Sequence, residues 1–207
     1  MTQMSFPPRP ATPADPADAL LYLSAKPYYD AYAGSEARAR GLLASVYGRR
    51  GHAASFEVCS VVELDGDLAG VIAWFPVTEG DERARRFVSL TAPRVPPWRW
   101  PALLRHLRAA GHVSPHPPPR ALYVDALAVA PEFRRRGVAT ALLAAAEHAA
   151  KAGGFEGLAL DTGLHNDAAR SLYEALGFRQ HEVRRAPSPR VAAAIGGPGF
   201  VGYVKSL

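Results

Sequence analysis

The chain has 207 residues, 48% hydrophobic and 21% charged, which suits one globular domain or one domain with an insertion. No apolar run reaches the length needed to span a bilayer, and the single cysteine, Cys59, excludes an intrachain disulfide and a CxxC metal or redox site. The formal charge of +5 is carried almost wholly by arginines that are scattered and often beside acids, as in Glu82-Arg83, so a groove of interleaved basic and aromatic residues for single-stranded nucleic acid is not indicated.

The opening residues lack the basic and apolar blocks of a signal peptide, and residues 1–8 read as a flexible tail of a soluble, cytoplasmic protein. Arg9 to Thr12 reads as a short, edge-like strand, because Pro10 has no N–H to donate to a ladder. Asp15 to Tyr32 reads as a helix that breaks near Pro27. Ser35 then caps a second helix, Glu36 to Arg49, with Leu42, Leu43 and Val46 on one face. Val58 to Leu64 and Leu68 to Phe75 are strand-like runs joined at Asp65-Gly66, a strong hairpin signal. Residues 79–120 are punctuated by Pro93, Pro96, Pro97 and Pro101 and closed by Pro115, Pro117, Pro118 and Pro119. A helix from Ala102 to Ala110 fits Leu103, Leu104 and Leu107, and the whole segment reads as an insertion carrying one or two helices.

Ala121 to Val129 is an apolar strand ended by Ala130 and Pro131. The loop Arg134-Arg135-Arg136-Gly137 follows, then an Ala/Leu-rich helix from Val138 to Lys151. A helix start carries N–H groups without helical partners and the positive end of the dipole, and a glycine lets a bound group come close to the backbone. With three arginines this describes an anion site suited to phosphate or pyrophosphate. Neither GxxxxGKS/T nor GxGxxG occurs, and taken alone the loop is equally a solvated basic turn. Gly157 to Asp161 is a second apolar strand. Asn166 then caps a helix with Ala169, Leu172, Tyr173 and Leu176 at helical spacing, closed by Gly177 before Phe178. Two more strands, Gln180 to Arg185 and Gly199 to Val204, flank a Pro/Gly/Ala-rich loop over Ala186 to Pro198.

These two patterns in this order resemble the acyl-CoA core of the GNAT acetyltransferases. That family carries Q/R-x-x-G-x-G/A between its fourth strand and third helix, filled here by Arg134, Gly137 and Ala139. It carries an Asn and a Tyr before a Gly-Phe pair, filled by Asn166, Tyr173, Gly177 and Phe178. The resemblance covers about Ala121 to Glu182. It implies an α/β fold, a single domain over residues 9–207 built on a mixed, twisted sheet flanked by helices on both faces. Residues 79–120 form a helical insertion between the third and fourth strands. It implies acetyl-CoA as co-substrate, with Leu127, Ala128 and Val129 lending backbone groups to the pantetheine. Arg134, Arg135, Arg136, Gly137, Val138, Ala139 and Thr140 would surround the pyrophosphate, and Asn166 and Tyr173 would face the coenzyme arm. The implied reaction is direct acetyl transfer to a primary amine of a small molecule in a ternary complex, with the N-terminal helices and the insertion bordering the acceptor. No metal, nucleic acid or membrane partner is expected, and a homodimer is compatible.

Transfer from a thioester to an amine needs a proton acceptor for the amine and a proton donor for the leaving thiolate. By resemblance Tyr173 is the donor; by pattern alone it reads as a core aromatic on the face of Ala169, Leu172 and Leu176. Asp125 stands in an apolar strand, where a carboxylate is costly unless paired or functional. It is a candidate base or the partner of an arginine. Glu63 and Asp161 are further candidates, and Asp161 can equally mark a strand end. His112 and His116 are four apart, but Pro115 and Pro117 argue against a helical metal pair. Two other readings remain: a non-catalytic acyl-CoA sensor and an arginine-rich nucleic-acid-binding protein.

Overall fold

In this computed structural model residues 7–207 are described, so positions 1–6 of the expected tail lie outside the described residues. The strands are β1 (Arg9–Pro10), β2 (Cys59–Leu64), β3 (Asp67–Pro76), β4 (Ala121–Val129), β5 (Gly157–Gly163), β6 (Arg179–Arg185) and β7 (Gly199–Ser206). They form one sheet in the order β1-β2-β3-β4-β5-β7-β6. Only β4 and β5 pair in parallel among the described residues. Asp65 and Gly66 both hold positive φ, 57° and 87°, which matches the twist of a two-residue hairpin between β2 and β3.

The helices are α1 (Asp18–Ser24), α2 (Lys26–Ala33), α3 (Glu36–Tyr47), α4 (Gly80–Thr91), α5 (Trp100–Val113), α6 (Val138–Ala152), α7 (Asp167–Ala175) and α8 (Pro189–Ile195). Residues Ala69 to Ala73 of β3 are buried without interruption, so both faces of the sheet are covered there. α6 makes the crossover from β4 to β5 and packs on β2 to β5, while α1 packs on β3 and β4. The Ser35 hydroxyl accepts from the Arg38 N–H at the start of α3, as its position before the apolar face predicts.

Beyond shifts of a few residues at element ends, three differences from the sequence reading bear on the site. The segment Ala186 to Pro198 is not a plain loop: it holds α8, with the Ser188 hydroxyl accepting from the Val191 N–H, Pro189 in the first turn and a left-handed Gly196 at the end. Those are ordinary start and stop signals, masked by the Pro/Gly/Ala composition. α5 begins at Trp100 because Pro101 falls in its first turn, where its missing N–H costs nothing. β5 continues to Gly163, so Asp161 lies inside the strand rather than at its end.

Two irregularities shape the centre of the sheet. Ala73 faces Ala126 and Trp74 faces Val124, leaving Asp125 without a partner on β3, as a β-bulge. The β4–β5 pairing covers Ala121–Val124 against Gly157–Leu160 and stops there. Beyond that point β4 pairs only with β3 and β5 only with β7. The two strands therefore part from Asp125 and Asp161 onward.

α6 sits close to β3 because Gly70 has no side chain. A Cβ there would lie 2.8 Å from Val138 Cγ1, 3.0 Å from Leu142 Cδ1 and 3.1 Å from the Ala128 carbonyl. Gly70→Val is expected to lower stability by about 1–3 kcal/mol through overpacking, read by urea unfolding. An unchanged midpoint would mean that α6 does not bear on β3 at this point.

Candidate active site

The wedge between β4 and β5 opens into a cleft. Asp125 and Leu127 of β4, Asp161 of β5, and Asn166 and Tyr173 of the α7 region line one part of it. Tyr28 of α2 and Gly196 after α8 line the facing part. The Tyr123 hydroxyl donates to Asp161 Oδ2 at 2.5 Å. No ion pair joins Asp125 to an arginine among the described residues, and no Arg or Lys lines the cleft.

Asp125 is solvent-exposed and lines the cleft, although protein packs closely about its carboxyl. Desolvation, and then the nearby Asp161 carboxylate, push its carboxyl up to about 7. Asp161 is also raised by burial, partly offset by the Tyr123 hydrogen bond. Burial keeps the phenols of Tyr28, Tyr123 and Tyr173 above the usual tyrosine range, with the carboxylates adding to the effect. Tyr173 is 6% exposed and packs against Phe178 and Tyr203 at ring separations of 5.9 and 5.8 Å while still lining the cleft. It is thus a core aromatic and a cleft residue at once. Asn166 caps α7, accepting from the Ala169 N–H at 3.3 Å and donating to Thr162 Oγ1 at 3.1 Å, and it also lines the cleft.

From Leu127 to Val129 the β4 edge that would have met β5 is free of ladder partners. The strand then runs through a 3-10 turn, Pro131–Phe133, to Arg134, Arg135, Arg136 and Gly137. All four are exposed. The backbone is left-handed at Arg135 (φ 63°) and Gly137 (φ 86°), an alternation that gathers successive N–H groups on one side. α6, the longest helix, has no side-chain cap, as is true also of α1, α2, α4 and α5. The N–H groups of Val138, Ala139 and Thr140 therefore remain free at its start. Nothing lies within 4 Å of a Cβ built on Gly137, so the space before the helix is open. Arg134 Nε donates to the Val129 carbonyl, Arg136 stacks over Phe133, and Arg136 also lies 3.7 Å from Asp65.

Other candidates fall away from the cleft. Glu63 pairs with Arg9 at the sheet edge. His112 Nδ1 bonds the Arg108 carbonyl, and His116 pairs with Arg184 and Glu182, so the two histidines have separate commitments. Cys59 is buried, donates to the Ser55 carbonyl and has its thiol pushed up to about 12. Sequence reasoning missed Tyr28, Tyr123 and the α8 wall. Tyr123 and Asp161 meet only through the β4–β5 register, which no local pattern reveals.

A parallel strand pair thus parts at a bulge within a mixed α/β sheet, and a free strand edge leads to a helix start without a side-chain cap. The chain belongs to the acetyltransferase (GNAT) family, whose model matches residues 19–178. A solved structure described as "the crystal structure of acetyltransferase" shares the fold at TM-score 0.67, with 22% identity over 96% of this chain and 98% of its own. The uncharacterized N-acetyltransferase YycN of Bacillus subtilis (strain 168) is 33% identical over 72 residues, 35% of this chain and 46% of that protein. N-alpha-acetyltransferase 30 of Schizosaccharomyces pombe (strain 972 / ATCC 24843) is 38% identical over 60 residues, 29% of this chain and 40% of that protein. The matches span less than half the length of either relative.

The raised carboxyl of Asp125 has a stability consequence. Its folded pKa lies above its unfolded value, so folding favours the protonated form. The associated stability is present at acid pH and lost as pH rises from about 4 through about 7. Asp125→Asn, which cannot ionise, is expected to raise the melting temperature relative to the parent at pH 8 and to change it little at pH 4. A difference independent of pH would show that Asp125 is not held in its protonated form by the fold.

Proposed function

We propose that this chain transfers the acetyl group of acetyl-CoA to a primary amine of a small molecule, by direct attack within a ternary complex in the cytoplasm. The observation that carries the reading is the free β4 edge at Leu127–Val129, running from the bulged Asp125 to the uncapped start of α6. The residues fit the co-substrate at two points. A free strand edge suits an extended pantetheine arm, which can add to it like another strand. Free N–H groups, an open left-handed glycine and exposed arginines suit a pyrophosphate. When bound, acetyl-CoA supplies a thioester whose acyl carbon is open to attack by an amine.

The chain's own residues supply the rest. An alkyl amine has a pKa of about 10 and arrives protonated at neutral pH. Two carboxyl groups, with no Arg or Lys and one histidine, His165, in the lining, draw such a cation into the cleft. Asp125, with a pKa of about 7, is part-ionised at neutral pH and accepts a proton there. Tyr173 holds its phenolic proton across the physiological range, so it is always ready to donate. Tyr28 lines the cleft, and Tyr123 holds the Asp161 carboxyl through its hydroxyl.

The reading is tested by offering acetyl-CoA with a panel of small amines, a polyamine and a peptide N-terminus, and measuring free thiol release. CoA binding without release from any acceptor would leave only the acyl-CoA sensor. CoA is expected to raise the melting temperature, since it binds the folded state alone. Gly137→Glu, which places a charge and a side chain where φ is 86°, is expected to abolish that rise. A variant that still responds like the parent would remove the loop from the site. Tyr173→Phe is expected to keep CoA affinity while lowering kcat by about a hundredfold, in steady-state assays at saturating acetyl-CoA. A kcat within about twofold of the parent would reduce Tyr173 to packing.

A further inference from the structure

Residues 83–124 carry eight arginines and no Asp or Glu. Within them, Trp98, Trp100 and Leu104 are 75%, 49% and 49% exposed, three of the six large hydrophobic side chains most open to water among the described residues. The helix phase explains the placement. Leu103, His106, Ala110 and Val113 of α5 turn inward, and Trp100, Leu104 and Arg108, spaced by four, form the outward stripe beside Arg105. Neither Arg105 nor Arg108 pairs with a carboxylate among the described residues; the arginine pairs of this segment involve Arg83 and Arg120. The apolar end is preformed. A 3-10 turn, Pro97–Arg99, presents Trp98, and the Trp100 Nε1–H donates to the Val95 carbonyl at 3.0 Å.

We propose that this outer face, Trp98, Trp100, Leu104, Arg105 and Arg108, docks peripherally on a bilayer surface bearing anionic phospholipids. Tryptophan and leucine favour the headgroup–acyl boundary, and arginine stems lie along it with their guanidinium groups on the phosphates. None of these five residues lines the cleft or either of two further hollows, one lined by Pro115 and Tyr123 and one by Arg38 and Val95. A two-fold contact with a second copy would set Arg105 and Arg108 against their own equivalents, with no acid in the segment to relieve them. The expectation of no membrane partner rested on the lack of a spanning run, and a helix lying on the surface needs none. The inference is independent of the acetyl-transfer reading. It has a geometric link to the cleft, since α5 packs on α2 and α8, which wall it.

The test is co-sedimentation of the full chain with phosphatidylcholine vesicles and with equimolar phosphatidylcholine–phosphatidylglycerol vesicles, alongside tryptophan emission. Two of the three tryptophans lie in the patch, Trp74 being the other, so emission reports on it directly. Binding to the anionic vesicles alone, weakened by salt and accompanied by a blue shift, is expected. The double variants Trp98→Ser/Trp100→Ser and Arg105→Glu/Arg108→Glu should each weaken partitioning about tenfold or more, while a parental far-UV circular dichroism spectrum and a cooperative thermal transition show them folded. Failure to bind anionic vesicles overturns the proposal. So does binding that survives both double variants but is lost in Arg135→Glu/Arg136→Glu, which would assign it to the loop before α6. A concentration-dependent dimer abolished by Trp98→Ser/Trp100→Ser, or binding to a structured RNA in place of vesicles, overturns it as well.

Discussion

The loss of backbone pairing between β4 and β5 after Val124 is the constraint on which the candidate site depends. A parallel ladder continued to the strand ends would leave no free N–H or C=O groups and no space between the strands. The bulge at Asp125 bends β4 where the ladder ends, and it aims a carboxyl into the opening instead of into a paired face. Everything else in the cleft is arranged around that opening. β5 is held by β7 on its other side, β4 by β3, and α6 crosses from one to the other beneath. The free edge and the free helix start are therefore two parts of one unpaired run of backbone, joined by a loop of a few residues.

Electrostatics follow from the same geometry. Asp125 and Asp161 occupy equivalent positions just past the last paired residues, so the parting of the strands sets two carboxyls on one hollow. Desolvation raises both, the Asp161 carboxylate adds to the rise at Asp125, and Tyr123 stabilises the charged form of Asp161 alone. The pair is unequal, and the less supported member is the one beside the free edge. An environment that pushes two like groups apart in this way is how one site can hold a proton acceptor and a second negative group at the same pH. The basic loop lies at the far end of β4, so the two signs of charge are separated along one strand.

Most of the central architecture was legible in the sequence because its signals are local. Asp65-Gly66, Ser35, Asn166 and the apolar run before the arginine loop each act through nearest neighbours, and each sits where its chemistry predicts. The start of α6 was readable from Gly137 and the Ala/Leu run. What was not legible depends on register or distant packing. The bulge at Asp125 arises from a one-residue mismatch with β3, and a lone Asp in an apolar strand gives no hint of it. Tyr123 and Asp161 are 38 positions apart. α8 carries clear cap residues, but its alanines and the surrounding glycines and prolines read as loop composition. Tyr28 looked like one aromatic among several in a helix, and only the closure of α8 and β7 over it makes it a wall of the cleft.

The residues behind that wall form a packing unit of their own. Ala109, Ala110, Val113 and Ile195 make a small buried cluster with Tyr28, Val191 and Phe200 at its edge, separate from the main core under the sheet. His106 joins it by bonding the Ala194 carbonyl at 2.7 Å and meeting the Tyr28 ring edge-on at 4.5 Å. Little apolar surface holds this cluster, so it is expected to open at lower free energy than the sheet and α6, and hydrogen exchange at the α8 amides is expected to precede that of β3 and α6.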